Sequence, residues 1–176
     1  MKYTPRVKNN RDELSLLYDS LEPAAKGFGV VILELSLFRS KGRGKGGQAG
    51  VQIRVTVYKD GNIGIDDCSG FHRAILPRLE LAFPEKDIYL EVLSPGIGRL
   101  IKDGSEFIHF IGRGIKCYTG QSDLKISQGP FSGWINGILR TADENGISLE
   151  TADGIIKLSF QEIAKAKLDE SLDLKE

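Results

Sequence analysis

The chain has 176 residues, enough for one large or two small domains, and 40% of them are hydrophobic, as a packed core requires. Basic and acidic residues number 24 each, which argues against a simple electrostatic RNA clamp, because such proteins carry a basic excess. No apolar run approaches a membrane span, residues 1–6 lack the apolar segment of a signal peptide, and only Cys68 and Cys117 are cysteines. We therefore expect a cytoplasmic protein with reduced thiols and no membrane partner.

An amphipathic helix is predicted near the N-terminus. Its apolar residues recur at helical spacing, at Leu14, Leu17, Tyr18 and Leu21. Asn10 can cap the start of this helix and Gly27 its end, while Pro23 is expected to kink or interrupt it.

Three alternating segments predict strands, at 31–37, 51–58 and 88–93. A second helix lies before the last of them, with Asp66 as its expected N-cap and Pro77 as the expected end or bend. A helix between two strands permits their parallel pairing. The first 94 residues therefore predict an α-β-β-α-β domain.

The third strand stops at an elbow formed by Ser94, Pro95 and Gly96. Proline cannot extend a hydrogen-bonded ladder, and glycine permits a positive φ. We expect a domain junction here, with Ser94, Pro95, Gly96 and Gly98 as the interdomain hinge. The predicted division is an N-terminal domain at 1–94, a linker at 95–101, a C-terminal domain at 102–168 and a flexible tail at 169–176.

The second half of the chain has the pattern of a small β-domain. A short helical turn from Glu106 to Ile111 precedes five predicted strands, at 115–119, 133–139, 147–151, 155–160 and 164–168. Short strands at this spacing indicate a small barrel. Trp134, the only tryptophan, is expected in the barrel core rather than on a binding surface.

Four segments resemble the bacterial ribosome maturation factor RimP family and follow one another in the order found there. Along the chain they are the Asp-Gly turn and helix start at 60–68, LEVLSPGIGR at 90–99, FIGR at 110–113 and IAKAKL at 163–168. The likeness spans roughly residues 12 to 168. Gly98 and Leu100 stand where the family usually has Asp and Pro, which predicts a looser linker.

The resemblance implies an α+β fold with an SH3-like or Sm-like C-terminal barrel. It also implies a monomeric, non-catalytic factor that binds the immature small ribosomal subunit and assists its assembly, with rRNA and a basic small-subunit protein as partners. Residues 95–176 carry 10 basic and 12 acidic side chains, which suits a basic protein partner no worse than RNA. The alternative is an Sm-like RNA-binding regulator that forms rings and acts independently of the ribosome.

Candidate partner- or RNA-binding residues are the cations Arg39, Lys41, Arg43, Lys45, Arg99 and Arg113. The first four lie in a glycine-rich loop between two predicted strands, where they can follow a phosphate backbone or simply be solvated. The other two flank the domain junction, where they can brace the domains or face a partner.

No catalytic, cofactor or metal site is expected. The sequence GRGKGG at 42–47 fits a dinucleotide motif, but a strand follows it where the motif needs a helix. His72 and His109 are the only histidines, and neither has a cysteine at zinc-ligand spacing. A Cys68–His72 catalytic pair is conceivable, but core packing of Cys68 is the better interpretation. Asp66 and Asp67 stand at a helix start, where capping fits better than catalysis.

Overall fold

The structure, a computed structural model, describes residues 11–40, 50–60, 63–84, 87–96, 98–120, 125–126, 129–130 and 133–172. The chain divides into two compact units at the bond between Pro95 and Gly96, called here the N-terminal and the C-terminal unit. None of the helices in the described ranges is long and apolar enough to cross a membrane.

The N-terminal unit has the predicted α-β-β-α-β order. Its elements are α1 (Arg11–Gly27), β1 (Val31–Ser40), β2 (Gly50–Tyr58), α2 (Ile65–Ala82) and β3 (Asp87–Leu93). The strands form one sheet in the order β1-β2-β3, in which β2 pairs antiparallel with β1 and parallel with β3. The α2 crossover between β2 and β3 allows the parallel pairing.

The core of this unit lies between the two helices and one face of the sheet. Its central strand, β2, contributes four side chains that are at most 1% exposed, Val51, Ile53, Val55 and Val57. Leu21 of α1 and Phe71, Ile75 and Leu79 of α2 are fully buried against them. The alternate residues of the strands, which point to the opposite face, include the exposed Phe38 and Tyr89.

The helices depart from expectation at their prolines and at one cap. Pro23 and Pro77 lie inside α1 and α2, so Pro23 does not interrupt its helix and Pro77 does not end its own. Both helices continue beyond the proline because their buried faces hold the following turn in place. The N-cap of α2 is Gly64 rather than Asp66. Asp67 completes the cap, since its carboxylate accepts the Gly64 N–H at 3.0 Å. The expected Asn10 cap of α1 lies outside the described residues.

The C-terminal unit is almost entirely β-structure. A short strand, β4 (Leu100–Ile101), precedes a 3-10 helix at Gly104–Phe110. The longer strands are β5 (Gly114–Thr119), β8 (Gly133–Ala142), β9 (Gly146–Thr151), β10 (Gly154–Ser159) and β11 (Ile163–Leu168), and a separate two-stranded ribbon contains β6 (Lys125–Ile126) and β7 (Gly129–Pro130). All five predicted strands and the helical turn are therefore present, and the α+β class is confirmed.

The six main strands form one antiparallel sheet in the order β10-β9-β8-β5-β11-β4. Within the described residues its two end strands, β10 and β4, do not pair, so no closed barrel is found and the SH3-like barrel stays a prediction. Leu100 and Ile101, assigned from the sequence to the linker, are part of this sheet through β11.

The predicted tail also begins inside the C-terminal unit. The Asp169 N–H donates to the Gly114 carbonyl at 2.8 Å, and a Cβ on Gly114 would lie 2.2 Å from the Asp169 carbonyl oxygen. The chain can pass this close only because residue 114 is glycine. Of the predicted tail, residues 173–176 lie outside the described ranges.

Candidate nucleic-acid interface

The predicted basic loop is described only at its first cation. Arg39 lies near the end of β1, opposite Val51, and forms a salt bridge with Glu13 of α1. Lys41, Arg43 and Lys45 lie outside the described residues. The charge of Arg39 is therefore already partly compensated within the N-terminal unit.

Arg99 lies in the interior of the C-terminal unit. Its side chain is 7% exposed, and its Nη2 atom lies 3.0 Å from Oε2 of Glu106, whose side chain is 4% exposed. Arg99 Nε donates to the same oxygen at 3.1 Å, and the Lys102 N–H donates to Glu106 Oε1 at 3.3 Å. Burial raises the pKa of the Glu106 carboxyl, and the Arg99 guanidinium opposes that rise. This geometry is that of an internal brace within one unit.

Arg113 follows the 3-10 helix and is half-buried. Its backbone holds the turn against β8: the Arg113 N–H donates to the Phe110 carbonyl at 3.0 Å, and its carbonyl accepts the Leu139 N–H at 2.9 Å. At the predicted hinge, Gly96 and Gly98 have φ values of 75° and 68°, a region that favours glycine.

The structure also presents a surface that the sequence interpretation missed. The buried side chains of β5, β8 and β11 alternate with residues that point to the outer face of the sheet. Six of these outer residues are aromatic or basic, and one of them, Arg140, forms a salt bridge with Glu150. The other five are Lys116, Tyr118, Trp134, Lys165 and Lys167. We call this set the Trp134 face.

Strand register brings the members of the Trp134 face together. Tyr118 of β5 is paired with Trp134 of β8 on one side and with Lys165 of β11 on the other. In the neighbouring row, Lys116 is paired with Lys167. Directly paired positions on one face have Cβ atoms about 5 Å apart, so the five side chains form one continuous patch.

The aromatic rings of this patch are in contact and open to solvent. The ring centroids of Tyr118 and Trp134 are 5.4 Å apart, with 58° between the ring planes. Tyr118 is 37% exposed and Trp134 is 42% exposed. The expectation that Trp134 belongs to the core is therefore wrong, because Ile135 and Leu139 occupy the inward positions of β8.

Two of the three lysine ammonium groups lie over the indole. Lys116 Nζ lies 5.4 Å and Lys167 Nζ 5.6 Å from the Trp134 ring centroid, within the range of a cation–π contact. Among the described residues, none of the three lysines forms a salt bridge, whereas Arg140 nearby on β8 is paired with Glu150. The patch therefore combines exposed aromatic surface with positive charge.

A second exposed aromatic row lies in the N-terminal unit. Phe38, Gln52 and Tyr89 are neighbours on the face of its sheet opposite the helices, with Phe38 56% and Tyr89 61% exposed. The next row contains a salt bridge between Arg54 and Glu91 at 2.6 Å. This face offers apolar surface with compensated charge, unlike the Trp134 face.

Both cysteines lie where burial disfavours a reactive thiolate. Cys68 and His72 both line a shallow depression beside β3, but burial raises the pKa of the Cys68 thiol, which disfavours a nucleophilic thiolate. Cys117 is buried, and burial raises its pKa to about 12. No group of His, Cys, Asp and Glu side chains within the described ranges could hold a metal ion.

Comparison with known proteins agrees with the sequence resemblance. The family model for the RimP N-terminal domain matches residues 20–98. The ribosome maturation factor RimP of Borrelia recurrentis is 29% identical over 154 residues, which cover 88% of this chain and 94% of that protein. The resemblance to the RimP family is confirmed. The RimP proteins of Borrelia turicatae and Borrelia hermsii are each 27% identical over the same shares of both chains.

Proposed function

We propose that the chain is a ribosome maturation factor that binds the immature small ribosomal subunit and assists its assembly without catalysis. The observation that carries this proposal is the likeness to proteins named ribosome maturation factor RimP over 94% of their length. The likeness includes both units, since the family model alone covers 20–98 and the relatives extend well beyond it.

A factor that assists assembly without catalysing a reaction must bind one state of its partner more tightly than the other. It must bind the immature subunit more tightly than the mature one, because a ligand shifts an equilibrium only by its differential affinity. The proposed partners are rRNA, contacted by the loop from 39 to 45, and a basic small-subunit protein. We further propose a cytoplasmic monomer in which the six-stranded sheet forms an SH3-like barrel.

Sedimentation of cell extracts tests the proposal. The tagged full chain is expected in the fractions of free small subunits and not in those of assembled ribosomes. Cells that lack the protein should accumulate immature small subunits, and the intact gene should restore the profile. Equal occupancy of free subunits and assembled ribosomes would contradict the assembly role.

The Trp134 face supports a second candidate, an Sm-like regulator that binds RNA away from the ribosome. Such a module assembles into rings and binds short single strands. A stable ring that stays with small RNAs in the gradient would favour this candidate, whereas a monomer that migrates with small subunits favours the assembly factor.

A further inference from the structure

The Trp134 face exposes more aromatic surface than the fold of the C-terminal unit requires. The outward positions of β8 also hold the polar residues Asn136 and Arg140, so the sheet does not need an indole there. Trp134 and Tyr118 nevertheless sit side by side with ring centroids 5.4 Å apart. Neighbouring exposed rings on a sheet face form a surface on which planar ligands can stack.

We propose that the Trp134 face binds unpaired bases of single-stranded RNA by stacking, while its lysines contact the adjoining phosphates. The inference deepens the proposed function, on which the identification of this RNA as rRNA rests. Stacking accounts for the two rings, and phosphate contact accounts for Lys116, Lys165 and Lys167 around them.

The lysines above the indole do not prevent a base from stacking. Lys116 and Lys167 lie at 5.4 and 5.6 Å from the ring centroid, which are loose contacts. An exposed cation–π contact contributes about 2- to 5-fold to an equilibrium, whereas a base stacked on an aromatic ring contributes about 5- to 150-fold. A displaced ammonium group also gains a phosphate partner.

The charge of the face favours RNA over a protein partner. An apolar protein surface would leave three lysines facing it without a compensating charge. A double helix hides the faces of its bases, so only unpaired bases can reach Trp134 and Tyr118. The face has few groups that could read base edges, and we therefore expect little sequence preference.

Because Trp134 is the only tryptophan, its fluorescence reports this face alone. The purified full chain is titrated with an unstructured uridine oligonucleotide, with an RNA duplex of the same length and with a polyglutamate peptide. We expect saturable quenching by the single strand and much weaker quenching by the duplex and the peptide. Absence of quenching by the single strand, or equal affinity for the duplex or the peptide, would overturn the proposal.

Variants are compared by the anisotropy of a labelled oligonucleotide. Trp134→Ala should weaken binding about 5- to 150-fold, and Trp134→Phe should retain part of the affinity because it keeps a ring. Lys116→Gln with Lys167→Gln should reduce the salt slope by about 0.7 for each phosphate that these lysines neutralise in the wild type. Lys157→Gln, an exposed lysine on β10 away from the face, is the matched control and should change neither quantity.

These outcomes separate the inference from the function on which it rests. Trp134→Phe, checked for native thermal unfolding, guards against loss of binding through misfolding of the alanine variant. Unchanged affinity in a folded Trp134→Ala would overturn the stacking site even if the wild-type chain sediments with small subunits. Stacking on the oligonucleotide without such sedimentation would support the site and contradict the ribosomal role.

Discussion

The ion pair between Arg99 and Glu106 gives a stability prediction that the structure makes quantitative. Both side chains are almost completely buried, at 7% and 4% exposure, and they are joined through one carboxylate oxygen at 3.0 and 3.1 Å. Glu106→Leu would remove this carboxylate from the buried guanidinium. Arg99→Met would leave the carboxylate with the Lys102 N–H donor at 3.3 Å.

Removing one partner of a buried pair costs about 3–5 kcal/mol, because the remaining charge stays desolvated. We expect Arg99→Met to lose about this much of a stability that totals about 5–15 kcal/mol in ordinary domains, and Glu106→Leu to be destabilising as well. The double variant, Arg99→Met with Glu106→Leu, buries no charge and should unfold with nearly the free energy of the wild type. The coupling between the two sites should therefore be large.

The two single variants should differ in their response to pH. In Arg99→Met the carboxyl of Glu106 keeps the burial that raises its pKa and loses the cation that lowers it. A folded-state pKa above the unfolded value means that the native state binds the proton more tightly, so stability falls as pH rises through the glutamate range and above it. Glu106→Leu lacks this dependence because an arginine does not titrate there.

Urea unfolding followed by Trp134 fluorescence measures these changes, since the indole lies in the same unit as the pair. The matched control is Arg140→Met, which breaks a salt bridge with Glu150 whose side chains are 54% and 47% exposed. An exposed pair contributes about 0–1 kcal/mol. If Arg99→Met cost no more than Arg140→Met, the inner pair would have to be solvated and the argument would fail.

Three further predictions concern the loop, a histidine and the unit boundaries. Replacing the four cations from Arg39 to Lys45 with serine should weaken small-subunit binding. The dependence of log affinity on log salt concentration should flatten by about 0.9 for each phosphate that they neutralise, and least for Arg39 because it is paired with Glu13. The same salt dependence in wild type and variant would mean that the loop is only solvated. Burial lowers the pKa of His109, so the free energy of unfolding should fall as pH drops below about 6.5. His109→Gln should remove that part of the pH dependence, which urea unfolding above and below this pH would measure. The fragment 96–172 should fold and give well-dispersed amide signals in an NMR spectrum. The fragment 102–168 should give less dispersion because it lacks β4 and the Asp169 contact. Greater dispersion in the shorter fragment would refute these unit boundaries.

The strands and helices followed from sequence periodicity, whereas the ends of α2 did not. Apolar spacing at Phe71, Ile75 and Leu79 located the helix correctly. Of the end or bend expected at Pro77, the end was wrong, because the loss of one backbone hydrogen bond is smaller than the gain from burying the last turn. The cap was displaced because Asp67 accepts the Gly64 N–H through its side chain, a contact that sequence spacing alone does not distinguish from an Asp66 cap.

The Trp134 face was missed although its signal was present. In the sequence GWINGIL, Ile135 and Leu139 share one phase of the strand, and Trp134 shares the other with Asn136. The alternation along the strand therefore predicts an outward indole, whereas the core assignment rested on the residue type alone. The clustering with Lys165 and Lys167 depends on β11 pairing with β5, a long-range register that no local pattern contains.

The positions of Arg99 and Arg113 illustrate the same limit. Their location beside the junction was visible in the sequence, and their environments were not. Arg99 turned inward because Glu106, seven residues later, lies on a 3-10 helix that returns the carboxylate to it. A charged side chain can be buried where an oppositely charged side chain pairs with it, and the tertiary structure decides whether such a partner is near.

A stacking surface offers a physical route to the differential affinity that the proposed function requires. Under the proposed function, unpaired bases would be available to Trp134 and Tyr118 only until rRNA pairs or buries them, so this part of the binding energy would disappear as the subunit matures. Two stacks at about 5- to 150-fold each multiply to between about 25-fold and about 2 × 10⁴-fold. A shift from one per cent to 99 per cent occupancy needs about 10⁴-fold. Loss of stacking on both rings, at the upper end of this range, would be enough to release the factor from the mature subunit. With weaker stacking, the rest of the affinity change would have to come from the loop and from a protein partner.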